Sequence, residues 1–157
     1  MKPLGARVKI RPPMRILCCG NRHRGDDAAG LLVADRLQEL GIAAEILNGE
    51  ATEIMEAWSG AESVILVDAV VTGARAGTVH AWDGRDLKAS PISSASTHGL
   101  GVGEAIELGR TLGRLPGKIQ IYGIEATQFA AGTTASPDVE QAAETVAREI
   151  ARLAKSA

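Results

Sequence analysis

The stretch Met14–Leu40, MRILCCGNRHRGDDAAGLLVADRLQEL, decides how this chain is read. It opens on a short apolar run, Met14–Cys19, that stops at the turn signal Gly20-Asn21. Asp26–Leu40 then has helical spacing. Ala29, Val33, Leu37 and Leu40 form the main stripe, Leu32 lies on one flank, and Gly41 stands where a helix stops. A strand feeding a helix through a short polar turn is the first half of a βαβ unit.

The rest of the chain repeats that rhythm. Ala43–Leu47 reads as a second strand, ended by Asn48-Gly49, with a short helix around Ala51–Trp58. Ser63–Val71 (SVILVDAVV) is the most hydrophobic stretch and reads as a central strand buried on both faces. Thr78–Trp82 is a fourth strand, and its poor alternation suits a sheet edge. A Ser-rich loop, Asp83–Thr97, leads to a helix over His98–Leu112. That helix contains Gly99, Gly101, Gly103 and Gly109, and an interior glycine costs up to ~1 kcal/mol against alanine. Lys118–Ile124 is a fifth strand, followed by an irregular loop, Glu125–Ala135. Ser136-Pro137-Asp138 signals a helix start, with an N-cap serine, proline at the first position and an acid in the first turn. Val139, Ala142, Ala143, Val146, Ile150 and Leu153 continue it as one apolar stripe. The order βαβαββαβα predicts an α/β sandwich with helices on both faces of a mostly parallel sheet.

Composition agrees with one such domain. The chain has 157 residues, 45% hydrophobic and 23% charged, with 17 basic against 19 acidic side chains and a net charge of −2. A chain of this length buries ~68–70% of its unfolded surface and needs no staples. The even charge balance argues against nucleic acid or an anionic membrane as the main partner. Aromatics are 3%, namely Trp58, Trp82, Tyr122 and Phe129, so the core is aliphatic and base-stacking platforms are not expected. The two cysteines, Cys18 and Cys19, are adjacent, which excludes a disulfide scaffold and reads as the buried end of a strand. No apolar run approaches the ~20 residues of a membrane span. Residues 1–13 are basic and lack the apolar core of a signal peptide. They read as a tail, either a disordered extension or a mis-called start, ahead of a single domain over residues 14–157. The expected location is the cytoplasm. No helix shows an evident spare apolar face, so a monomer is expected.

In sheets of this kind ligands bind beyond the carboxyl ends of the strands. Three segments place polar residues there. Gly20–Gly30 brings Asp26 and Asp27 to a helix start, where the acids suit the helix dipole but would repel a phosphate. Either acid could simply cap the helix, but two of them after Gly-Asn, followed by small residues, favour a site. Asp68 sits inside the apolar run Val67-Asp68-Ala69, where a carboxylate is expensive unless it is paired, protonated or cation-bound. His98 precedes a helix after the long loop. Two carboxylates and an imidazole suit a divalent transition ion with open positions for water or substrate. His23, between two arginines, is a second-rank contact for an anion or partner, and His80 on the edge strand reads as background. No dinucleotide, Walker, H-E-x-x-H or G-x-S-x-G pattern is present.

These residues resemble the hydrogenase maturation protease family, over about Met14 to Leu153. The similarity lies in Gly20-Asn21 through Asp26-Asp27-Ala28-Ala29-Gly30, in the apolar strand ending Asp68-Ala69, and in His98-Gly99-Leu100-Gly101 opening a helix. The final strand with Gly-Ile and the Ser-Pro helix start also agree. The resemblance implies a three-layer α/β/α sandwich around a twisted, mostly parallel five-stranded sheet of the phosphorylase/hydrolase-like kind. It implies an endopeptidase that removes the C-terminal extension of a nickel-iron hydrogenase large-subunit precursor. Asp27, Asp68 and His98 would then be both metal ligands and catalytic residues, and the nickel would be supplied by the client. Two departures stand out. Cys18 occupies a position where the family usually has glycine, so a positive φ there would strain it. Asp27 replaces a glutamate found in many members and has a shorter reach.

Two rival readings use the same residues differently. A non-catalytic nickel-binding maturation chaperone or checkpoint would bind client or metal without cutting. A small-anion-binding module would use Gly20–Gly25 with Arg22, His23 and Arg24, although the acid pair argues against it.

Overall fold

The computed structural model describes residues 14–87 and 101–156. Five strands form one sheet: β1 (Met14–Cys19), β2 (Glu45–Leu47), β3 (Ser63–Val70), β4 (Val79–Asp83) and β5 (Lys118–Glu125). Their spatial order is β2-β1-β3-β5-β4. All neighbours run parallel except β4, which pairs antiparallel with β5 at the edge. Four helices complete the described fold: α1 (Ala29–Glu39), α2 (Ala51–Trp58), α3 (Gly101–Leu112) and α4 (Pro137–Ser156).

Strand alternation divides the core into two layers. Ile16 and Cys18 of β1, Ile65, Val67 and Ala69 of β3, and Tyr122 and Ile124 of β5 pack with α1 and α4. Leu17 and Cys19, Val64, Leu66 and Val70, and Ile119 and Ile121 pack with α2 and α3. The expected sandwich with helices on both faces is therefore observed, and both layers are almost wholly aliphatic, as the composition requires. Gly109 explains how α3 tolerates its glycines. A Cβ there would lie 2.9 Å from the Trp58 ring and 2.9 Å from Leu115, so the missing side chain lets α3 close onto α2.

Several boundaries differ from the sequence expectation. The helix expected from Asp26 begins as a 3-10 turn, Gly25–Ala28, and becomes α-helical only at Ala29. The second strand is three residues rather than five, because it lies at the sheet edge with two of its three residues exposed. The last helix starts at Pro137 as expected, but the Ser136 hydroxyl makes no capping bond; its carbonyl instead accepts the Glu140 N–H at 3.0 Å. Cys18 is not strained. It lies fully buried in β1, in register with Ile46 and Val67, and no non-glycine residue among those described has a positive φ.

Candidate active site

The strand order reverses direction between β1 and β3, since the chain leaves β1 toward β2 on one side and returns to β3 on the other. Such a switch point opens a crevice at the carboxyl ends of the two strands, the usual ligand position in a parallel α/β sheet. Asp27 follows β1 and Asp68 lies near the end of β3, so the fold brings both to this crevice. The Gly25–Ala28 turn packs directly against β3.

The four buried acids among the described residues all belong to this edge: Asp26 at 0%, Asp27 at 2%, Asp68 at 2% and Glu125 at 1% relative exposure. Burying carboxylates is costly unless donors or cations meet them, so their concentration at one edge has to be compensated locally. Asp68 shares the sheet face of Leu66 and Val70, under α2 and α3, and its Oδ1 accepts the Ala69 N–H at 2.8 Å. Asp27 Oδ2 lies 3.5 Å from Arg24 Nη1. Burial pushes the Cys19 thiol well up, and Asp68, Cys18, Glu53 and Asp27 push it further. Both candidate carboxylates thus help to keep the same buried thiol protonated.

Asp26 behaves differently from its neighbour. Its Oδ2 accepts the N–H groups of Thr127 at 3.0 Å and Gln128 at 3.1 Å, and its Oδ1 accepts that of Ser136 at 2.8 Å. The backbone adds Asp26 N–H to Gln128 O at 2.7 Å and Gly25 N–H to Thr133 O at 3.0 Å. The loop after β1 is therefore fastened to the loop after β5. Gly25 is required at this junction: its φ is +55°, and a Cβ would lie 2.5 Å from the Gln128 carbonyl oxygen. Of the acid pair, Asp26 ties two loops together and is no helix cap, while Asp27 remains at the crevice. Gly30 completes the motif. A Cβ there would lie 2.2 Å from the Cys19 carbonyl oxygen, so glycine lets α1 sit directly on β1.

His98 lies outside the described residues, and so does the start expected for its helix. Among the described residues, no group of three His, Cys, Asp or Glu side chains is arranged to hold a metal ion. Asp27 and Asp68 alone supply hard oxygen donors, a chemistry that suits a divalent ion once a further ligand is added. The other polar candidates have structural attachments. Arg22 makes a two-point bond to Asp35, at 2.8 and 3.2 Å, and His23 is exposed with its backbone N–H on Asn21 Oδ1. With Arg22 on Asp35 and Arg24 on Asp27, two of the three contacts expected for a small anion already face carboxylates.

Sequence reasoning missed a second polar cluster. Glu125 ends β5, and its carboxylate accepts from Thr72 N–H at 2.7 Å, Thr72 Oγ1 at 2.7 Å and Gly73 N–H at 3.1 Å. His80 Nε2 lies 2.9 Å from Glu125 Oε1, and the His80 ring stacks on Trp82 with centroids 4.9 Å apart. Burial works to raise the Glu125 carboxyl, but these donors outweigh it and hold it below the usual carboxylate range. His80, read as background, is thus a member of a buried network that fixes the chain leaving β3. The signal was available: Glu125 ends an apolar strand at the same edge, the argument that singled out Asp68.

A sequence profile described as HycI, hydrogenase maturation protease, matches residues 34–153. The structure is similar to the NiFe hydrogenase maturation protease HybD from Thermococcus kodakarensis, with 27% identity, a TM-score of 0.70, and coverage of 89% of this chain and 97% of that one. It is similar to a second protease of that organism, HycI, with 27% identity, a TM-score of 0.65 and coverage of 97% and 98%. The hydrogenase maturating endopeptidase HybD from E. coli shares the fold at 24% identity, with a TM-score of 0.73 over 91% of this chain and 93% of that one. No curated protein sequence matches the chain significantly. With the profile covering most of the chain and the acid crevice at the switch point of the sheet, this protein belongs to the hydrogenase maturation protease family.

Proposed function

We propose that this protein is a cytoplasmic endopeptidase that removes the C-terminal extension of a nickel-loaded hydrogenase large-subunit precursor. The observation that carries the reading is the burial of Asp27 and Asp68 together at the β1/β3 crevice of a chain in this family. In this reading Asp27, Asp68 and His98 contact the nickel, which arrives as part of the substrate. The client's own metal then positions the scissile peptide against the carboxylates. Water adds to the scissile carbonyl carbon, and one of the two carboxylates takes its proton. The C–N bond breaks, the leaving nitrogen gains a proton, and the fragment departs. Processing of this kind is aspartic in its acid–base groups and triggered by metal. No described helix is long and apolar enough to cross a membrane.

The test is intact-mass measurement of a hydrogenase large-subunit precursor incubated with the protein, with and without installed nickel. Loss of a C-terminal fragment from the nickel-loaded form alone is expected, and Asp68→Asn should abolish it while leaving the fold intact. Complex formation without mass loss would instead support a non-catalytic checkpoint. Full activity in Asp68→Asn would remove Asp68 from the mechanism.

A further inference from the structure

Arg24 is the one cation that the described structure sets against the acid crevice, and its setting is unusual. The guanidinium Nη1 lies 3.5 Å from Asp27 Oδ2, with the Arg24 side chain 23% exposed and the Asp27 side chain 3%. That Nη1 is buried and makes no hydrogen bond. Its guanidinium carbon stands 6.0 Å from the centre of the Phe129 ring. Arg22 differs: it grips Asp35 through two directional bonds at 2.8 and 3.2 Å on an exposed surface. Arg24 meets a buried carboxylate at a distance too long for a directional bond. Its charge offsets that of Asp27, but its geometry does not lock the pair.

The backbone holds Arg24 in this place from both sides. Arg24 bridges to Thr133, and Asp27 N–H returns to Arg24 O at 3.0 Å. The next residue, Gly25, is wedged against Gln128 and Thr133. Phe129, from the same loop, supplies the ring beneath the guanidinium. The fold therefore delivers a fixed positive charge to the mouth of a buried acid site.

We propose that Arg24 is the resident counter-cation of this site and competes with divalent metal for Asp27. The inference rests on the reading of Asp27 and Asp68 as the metal-contacting acids and adds a regulatory property to it. While the site is empty, Arg24 compensates the buried carboxylate. A divalent ion reaching Asp27 must displace the guanidinium from Oδ2 and tolerate its like charge nearby. Free metal ions are thereby disfavoured. An ion that arrives fixed in a protein client brings additional binding energy from the peptide around it, and that energy can overcome the repulsion. Arg24 would thus make the site answer to metal presented by a client and ignore metal in solution.

The experiment is isothermal titration of nickel sulfate into the full chain, as wild type, Arg24→Gln, Phe129→Leu and Asp68→Asn, with unfolding temperature recorded for each. Arg24→Gln should bind nickel roughly tenfold more tightly than wild type, or bind it detectably where wild type does not. Phe129→Leu, which loosens the guanidinium without removing its charge, should tighten binding by a smaller factor. If Arg24→Gln does not fold, Phe129→Leu alone decides. Unchanged or weaker nickel binding in the folded variants, or no binding in any protein, would overturn the competition. Asp68→Asn, placed also in the Arg24→Gln background, should weaken the binding that Arg24→Gln alone shows. If it does not, the reading of the acid crevice as the metal site fails, and the role of Arg24 fails with it. If Asp68→Asn weakens binding but the Arg24 and Phe129 variants match wild type, only the competition is refuted.

Discussion

Asp26 and Asp27 are adjacent, chemically identical and both buried, yet the structure gives them different work. Asp26→Asn tests that division. The wild-type carboxylate accepts three backbone N–H groups, from Thr127, Gln128 and Ser136. An asparagine can turn its amide oxygen toward Thr127 and Gln128, which share Oδ2. Its NH2 group then faces the Ser136 N–H, donor against donor. A hydrogen bond to a charged group contributes ~1.5–3 kcal/mol, and leaving a donor unsatisfied costs ~1–3 kcal/mol. The three donor residues lie at exposed or half-buried positions, so water recovers part of the loss. The net cost should be about 2 kcal/mol, which in a domain of this size lowers the melting temperature by ~4–8 °C. Thermal unfolding followed by circular dichroism at neutral pH measures it. Processing per folded molecule should persist at a permissive temperature, because Asp26 does not face the crevice. An unchanged melting temperature would refute the fastening role. Loss of processing in a fully folded Asp26→Asn would show that the two acids had been assigned the wrong way round.

Three further outcomes follow from the packing and from the displaced ionisations. Gly30→Ala should destabilise the protein by about 3 kcal/mol or more, because its Cβ meets the Cys19 carbonyl oxygen at 2.2 Å and neither backbone can yield easily; a denaturant midpoint equal to wild type would contradict that contact. Glu125 has a folded pKa below its unfolded value, so its stabilisation is present above ~4.3 and is lost as pH falls through the folded value. The melting-temperature gap between wild type and Glu125→Gln should therefore be widest at neutral pH and close on acidification, and a gap constant from pH 7 to pH ~3 would count against the network. Burial, with a further push from Asp35, raises the Cys18 thiol to about 12, and Cys19 is also raised. With a pKa that high, only about one Cys18 in 10⁴ is a thiolate at pH ~8, so neither cysteine should be alkylated by iodoacetamide until the protein unfolds.

The central architecture was legible because it rests on periodicity. Ser63–Val71 could only be a doubly buried strand, and the stripe of α4 left little choice about its face. Asp68 was legible for a related reason: an acid within an apolar run has to be compensated. What escaped the sequence was pairing across distance. Nothing local in Asp26 announces three donors about a hundred residues further along, so the sequence read it as a member of a catalytic or capping pair. His80 looked unremarkable on a weak edge strand, and it becomes structural only because antiparallel register sets it opposite Gly123, two residues from Glu125 and on the same face. The start of the first helix was misjudged because Gly25 commits the chain to the loop after β5 before helical geometry can begin.

The resulting division of labour has a physical reason. A site at a switch point is built from loops, and loops lack the ladder of bonds that fixes strands. Its acids can be placed accurately only if something else holds the backbone that bears them. Asp26 does this by committing both oxygens to three backbone donors, which stiffens the turn and turns the carboxylate toward the loop after β5. Asp27, one residue on, inherits the position so fixed and meets the Arg24 guanidinium at 3.5 Å, the contact that an incoming metal would have to replace under the competition proposed above. Rigidity and exchangeability cannot be supplied by the same carboxylate. Two consecutive acids, with glycine before them to let the loops touch and Ala28-Ala29-Gly30 after them to let the helix close on β1, supply both.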